Sequence, residues 1–199
     1  PKSDVLGGFH KVVVDGREPT AYFRGNYATD RFARHGLIAA PWRRSGEHVL
    51  LAGMSAKSAG TRGFRPQEWE MATIQAIRSV TGRPIVYRPK PSWADATPIP
   101  GTIFSFPDTP LAAALRDCWA VVTLHSNVSV DALLAGIPVN VTEGVARDFS
   151  TPLVQIETPR RPDGRDQLMA DIAYCQWLPR EMADGTCWRH LLEHTPLCG

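Results

Sequence analysis

Lysine is scarce in this 199-residue chain: Lys2, Lys11, Lys57 and Lys90 are the whole set, and the other basic residues are arginine. The net charge is only +2, so no bulk electrostatic attraction makes a case for nucleic acid as a partner. Long apolar runs are missing too. No segment approaches the ~20 residues that a membrane helix needs, and no signal-peptide pattern opens the chain. The cysteines Cys118, Cys175, Cys187 and Cys198 form no C-x-x-C pair and no Cys/His metal spacing, which sets aside zinc and redox motifs. No metal or cofactor is expected. Cys118 and Cys175 lie among apolar residues in helical patterns and are expected as reduced core residues, in keeping with a reducing compartment. Internal repeats and low-complexity tracts are absent. The stretch Gly53-Met-Ser-Ala-Lys57-Ser58 is too short for a phosphate-binding P-loop and lacks the glycine before lysine, which excludes that class of nucleotide hydrolase.

What is present is an alternation of short apolar runs and helical patterns. Residues 1–47 read as an irregular arm, with a strand or hairpin segment from Lys11 to Asp15 and a turn at Asp15-Gly16. From His48 the alternation is regular. Strands are predicted over 48–52, 84–88, 102–106, 120–124 and 139–142, with a possible edge strand over 153–156. Helices are predicted over 66–81, 111–118, 128–135, 165–177 and 179–192, and 53–65 reads as a long Gly/Ser/Lys/Arg loop. Strands that alternate with helices imply an α/β fold: a single doubly wound, mostly parallel, Rossmann-like sheet with right-handed crossovers. The domain reading is therefore an arm over 1–47 and a Rossmann-like domain over 48–199 with closing C-terminal helices. The aromatic residues Tyr174, Trp177 and Trp188 of those helices are expected to cover the core.

In doubly wound sheets ligands bind beyond the carboxyl ends of the strands, and three polar groups fall there. The loop after the first strand carries Ser55, Lys57, Ser58, Thr61 and Arg62; it serves equally as a surface loop or as a loop that closes on a ligand. Arg88 and Lys90 follow the second strand, with Pro89 and Pro91 holding the backbone extended. His125, Ser126 and Asn127 follow the fourth strand and open a helix that Gly136 and Pro138 terminate. Free backbone N–H groups and the helix dipole there suit a phosphate or carboxylate. Ser126 is also a natural helix cap, and the dipole alone would favour Asp131 one turn further on. His125 fits a partly buried, satisfied histidine as well as a ligand contact. Backbone donors, hydroxyls and one or two cations are what a nucleotide-sugar diphosphate needs.

The segment TLHSNVSVDALLAGIPVNV (123–141) resembles the donor side of GT-B glycosyltransferases, in particular the capsule and Kdo-transferase-like group: strand, serine at the turn, acidic residue in the helix, then Gly-x-Pro-Val. IVYRPKP (85–91) is similar to that group's strand ending in a basic-x-His-Pro motif, with Lys90 standing where histidine is usual. The segments over 30–53 and 169–191 look like small glycosyltransferase-like proteins of bacteriophage genomes. The resemblance implies one half of a GT-B enzyme. It also implies a donor site drawn from Lys57, Ser58, Arg88, Lys90, His125, Ser126, Asn127 and Asp131, with Asp131 matching the residue that holds donor ribose hydroxyls. No catalytic base has a recognisable context.

Two functions follow as expectations. One is a glycosyltransferase-like protein that binds a nucleotide sugar and transfers the sugar to a glycan or phage-related acceptor, with turnover left open. The other is a non-catalytic assembly protein, in a virion for example, that reuses the fold and has protein partners. The expected location is the cytoplasm of a bacterium or phage-infected host, or the virion itself.

Overall fold

The computed structural model describes residues 8–14 and 23–195. In chain order the elements are β1 (His10–Lys11), α1 (Asp30–Ala33), β2 (His48–Ala52), α2 (Ala56–Gly60), α3 (Glu68–Arg78), β3 (Ile85–Arg88), β4 (Ile103–Phe104) and α4 (Leu111–Ala114). They continue with β5 (Cys118–Thr123), α5 (Val128–Leu134), β6 (Val139–Val141), α6 (Arg165–Ala173), β7 (Gln176–Trp177), α7 (Pro179–Ala183) and α8 (Thr186–His194). The chain divides into two compact units, Ala39–Asp163 and the remainder, made of Pro1–Ile38 with Gly164–Gly199.

Ala39–Asp163 is an α/β unit around five parallel strands in the order β4-β3-β2-β5-β6. β2 and β5 are central because their side chains are apolar on both faces: Val49, Leu50, Leu51, Val121 and Val122 are all 0–1% exposed, the pattern of a sheet covered on both sides. On one face Val49, Leu51, Ile85, Tyr87, Ala120 and Val122 pack with Ile74 and Ile77 of α3. The chain runs outward from β2 through β3 to β4, then returns across β2 to β5 and continues to β6. Crossovers of one hand in opposite directions place α3 and α5 on opposite faces. This is the doubly wound, Rossmann-like arrangement expected from the alternation.

α5 ends in a paired backbone motif. Gly136 N–H bonds to Leu133 O and Ile137 N–H to Ala132 O, with Gly136 at φ +72°. A Cβ at Gly136 would lie 2.1 Å from Pro41 O, so the turn admits glycine for both conformation and space.

The other unit joins β1 and β7 as a two-stranded antiparallel sheet beside α1 and α6 to α8. Cys175, Trp177, Cys187 and Leu191 form its core. Asp171, 1% exposed, accepts hydrogen bonds from Tyr27 N–H and Gln167 Nε2, which meets the cost of burying a carboxylate. Cys118, Cys175 and Cys187 are buried thiols; burial pushes the Cys118 thiol up to about 12.

Several local expectations are corrected. The 53–65 loop contains α2, started by Ser55, whose Oγ accepts Ser58 N–H at 3.2 Å. Residues 153–155 form a 3-10 turn, not a strand, since Pro152 leaves no ladder donor and Val154 is 77% exposed. The helix predicted over 165–177 stops at Ala173, and Gln176–Trp177 pairs with β1 instead. The last helix is two helices, broken at Gly185 with φ +84°. Trp177 is buried as expected, whereas Trp188 is 51% exposed. The Asp15-Gly16 turn lies outside the described residues. No helix among the described residues is long and apolar enough to cross a membrane.

Candidate functional site

The reversal of strand order falls between β2 and β5, so the crevice beyond their carboxyl ends is the topological switch point, where open α/β sheets take ligands. The two strand ends are tied together: Thr123 Oγ1 donates to Ala52 O at 2.9 Å, and Ser126 N–H reaches back to Thr123 Oγ1 at 3.3 Å. Leu124 O accepts Thr142 N–H and Glu143 N–H at 3.2 and 2.8 Å, which seats the loop after β6 beside them.

Four side chains from three loops meet over this frame. Ser58 Oγ of α2 lies 3.0 Å from His125 Nε2 after β5. Arg62 Nη1, just past α2, donates to Ser58 Oγ at 3.1 Å, and its Nη2 donates to Glu143 Oε2 at 2.7 Å. Arg62 holds the Glu143 carboxyl below the usual carboxylate range. The cluster thus presents a hydroxyl, an imidazole and a shared guanidinium, all partly open to solvent. It is chemically suited to an anionic oxygen, because guanidinium and imidazole both donate to oxyanions and the guanidinium stays charged.

The other expected site residues divide. Lys57 is exposed on the first turn of α2, beside Ser58. Ser126 Oγ accepts Val128 N–H at 3.3 Å and Ser129 Oγ donates to Ser126 O at 2.8 Å, so Ser126 does serve as the helix-start acceptor. Asn127 occupies the cap position itself, exposed and without a side-chain cap bond. Asp131 is exposed, and desolvation by the chain around it raises its carboxyl above the ordinary value. Lys90 is exposed two residues past β3.

Arg88, at the end of β3, is turned inward. It is 7% exposed, its Nη1 donates to Ser105 Oγ at 3.0 Å beside β4, and burial lowers its pKa. The cause is the strand alternation: Arg88 shares the face of Val86, inside a sheet covered on both sides.

Glu70 was not among the candidates, yet it shapes the site. It lies on α3, 1% exposed, and its Oε1 accepts Met54 N–H at 2.7 Å. Its Oε2 is buried without a hydrogen-bond partner, and desolvation raises its pKa. A Cβ on Gly53 would come within 2.9 Å of Oε1 and 3.0 Å of the Tyr87 ring, so glycine is what lets the loop after β2 press against this carboxyl. The signal was readable: Glu70, Ile74 and Ile77 follow the i, i+4, i+7 spacing of one buried helix face.

No protein-family model matches the chain, and no curated protein matches it. Among solved structures the chain is similar to the β-Kdo 2,4 transferase of KpsC from Thermosulfurimonas dismutans, at 14% identity and a TM-score of 0.44, covering 72% of this chain and 52% of that one. It is similar to the β-Kdo 2,7 transferase of KpsC from the same organism, at 16% identity and a TM-score of 0.46, covering 72% and 49%. A third is the spinosyn rhamnosyltransferase SpnG complexed with spinosyn aglycone, at 14% identity and a TM-score of 0.37, covering 78% and 42%. The chain spans about half the length of these proteins. The fold is defined by the sheet itself.

Proposed function

We propose that the crevice beyond β2 and β5 binds a phosphate-bearing nucleotide sugar and that the chain is a glycosyltransferase-like protein. The observation that carries this reading is the convergence of Ser58, Arg62 and His125 at the topological switch point, with Lys57 exposed on the same short helix as Ser58. The resemblance of 123–141 to donor-side segments supports the same choice of ligand. In a sugar transfer the nucleotide phosphate leaves and negative charge grows on its oxygens. Arg62 and Lys57 are the cations placed to stabilise that charge, and Ser58 and His125 the groups placed to orient it.

One observation favours the second reading, a non-catalytic assembly role such as a virion component. Two strand-end cations are already held by the protein's own groups, Arg88 by Ser105 and Arg62 by Glu143. A scaffold that had lost its ligand would fill its crevice in this way.

A thermal-shift screen of UDP-, GDP-, CMP- and ADP-linked sugars separates the two. Ligand at a hundredfold over its dissociation constant adds about 2.7 kcal/mol of stability. Donor binding predicts a shift with one nucleotide class that Ser58→Ala and Arg62→Ala reduce. No shift with any of the four supports the assembly role.

A further inference from the structure

A second cleft, of about 320 Å³, opens in the unit formed by Pro1–Ile38 and Gly164–Gly199, and none of its lining residues belongs to the strand-end crevice. Its lining includes Phe9, Arg31, Arg34, His35, Arg180 and Glu181. The volume is at the lower end of small-molecule sites, enough for a single ring with one charged substituent.

The floor is rigid and already neutral. Arg31, 8% exposed, makes a paired contact to Glu181, Nη1 to Oε1 at 2.7 Å and Nη2 to Oε2 at 3.0 Å. It also donates to Ala173 O and Gln176 O, and its guanidinium stacks 4.2 Å from the Trp177 ring. Glu181 is therefore committed inward and does not repel an anion at the mouth.

The rim carries the unspent charge. Arg180 is exposed and forms no ion pair among the described residues. Arg34 is paired only at the surface, to Asp30 at 3.1 Å, and Asp30 has a second partner in Tyr174 OH at 2.8 Å. Exposed pairs of this kind contribute little and are readily exchanged for another anion. One wall is aromatic: the Phe9 and His35 rings meet edge to face with centroids 4.9 Å apart.

We infer that this cleft is a binding site for a small ring-bearing oxyanion, a sugar phosphate or a uronic acid, with Arg34 and Arg180 holding the anionic oxygens and Phe9 lying against the ring. Guanidinium pairs suit both phosphate and carboxylate, and an aromatic face suits the C–H side of a sugar ring. The site is independent of the strand-end crevice.

Calorimetric titration of the full chain with glucose 1-phosphate, glucuronate and inorganic phosphate tests it. Glucose 1-phosphate or glucuronate should bind more tightly than inorganic phosphate, and which of the two binds better identifies the anion. Arg34→Ala and Arg180→Ala should each weaken binding by about tenfold or more, as loss of a charge-assisted contact does. Arg180→Lys should retain part of it. Phe9→Ala should narrow the gap between glucose 1-phosphate and inorganic phosphate. The binding that Arg34→Ala and Arg180→Ala remove should persist in Ser58→Ala and Arg62→Ala, which keeps this site distinct from the nucleotide-sugar reading. Both rim arginines are exposed, so circular dichroism of the variants should match the parent. The inference is overturned if none of the three probes binds, if neither rim variant weakens binding, or if Ser58→Ala and Arg62→Ala abolish it.

Discussion

Glu70 concentrates the physical tension of the site in one side chain. Its carboxyl holds the loop after β2 through Met54 N–H at 2.7 Å, but burial raises its pKa above the ordinary 4.5. A carboxyl with a raised folded-state pKa favours the fold when protonated. Its contribution is fully present below the unfolded value and is lost as pH rises through the folded one. Glu70→Gln keeps an acceptor for Met54 and removes the charge. Urea denaturation of parent and variant across pH 4–8 should therefore show the variant gaining relative stability as pH rises, with the curves converging at the acid end. A constant offset would refute the buried-charge account. Glu143 gives a second residue-scale prediction. It shares Arg62 with Ser58, so Glu143→Gln should release the guanidinium and tighten a bound nucleotide sugar by about tenfold or less. Weaker binding in a titration would instead make Glu143 a ligand contact.

At the scale of elements, the end of α5 has the least freedom. Gly136 combines φ +72° with a Cβ position 2.1 Å from Pro41 O, so Gly136→Ala should cost at least about 1–3 kcal/mol and lower the melting temperature. An unchanged melting temperature would mean that the turn is not constrained as described. This stop was legible, because Gly-x-Pro after a short apolar helix has one backbone reading. The parallel strands were legible for a related reason: buried strands such as Val49–Leu51 and Ala120–Val122 announce themselves as continuous apolar runs. α2 was hidden because Gly60 and Gly63 look like loop chemistry, although Ser55 carried the cap signal. The end of α6 was hidden because β7 is fixed by its partner β1 across more than 160 residues. A helical period cannot report a long-range pairing of that kind.

For the whole molecule, the order of strands decides where chemistry can occur. His125, Ser126 and Lys57 could be assigned to strand ends from sequence alone, and the fold does bring His125 to Ser58. The Arg62–Glu143 pair, 81 residues apart, and the inward turn of Arg88 depend on which strands are neighbours, which no single segment encodes. In the proposed function this crevice, and not another surface, takes the nucleotide sugar. Amide hydrogen exchange measured with and without a saturating nucleotide sugar tests that most directly. Added protection should be confined to residues 53–62 and 124–127. Binding accompanied by protection elsewhere, with these two loops unchanged, would contradict it.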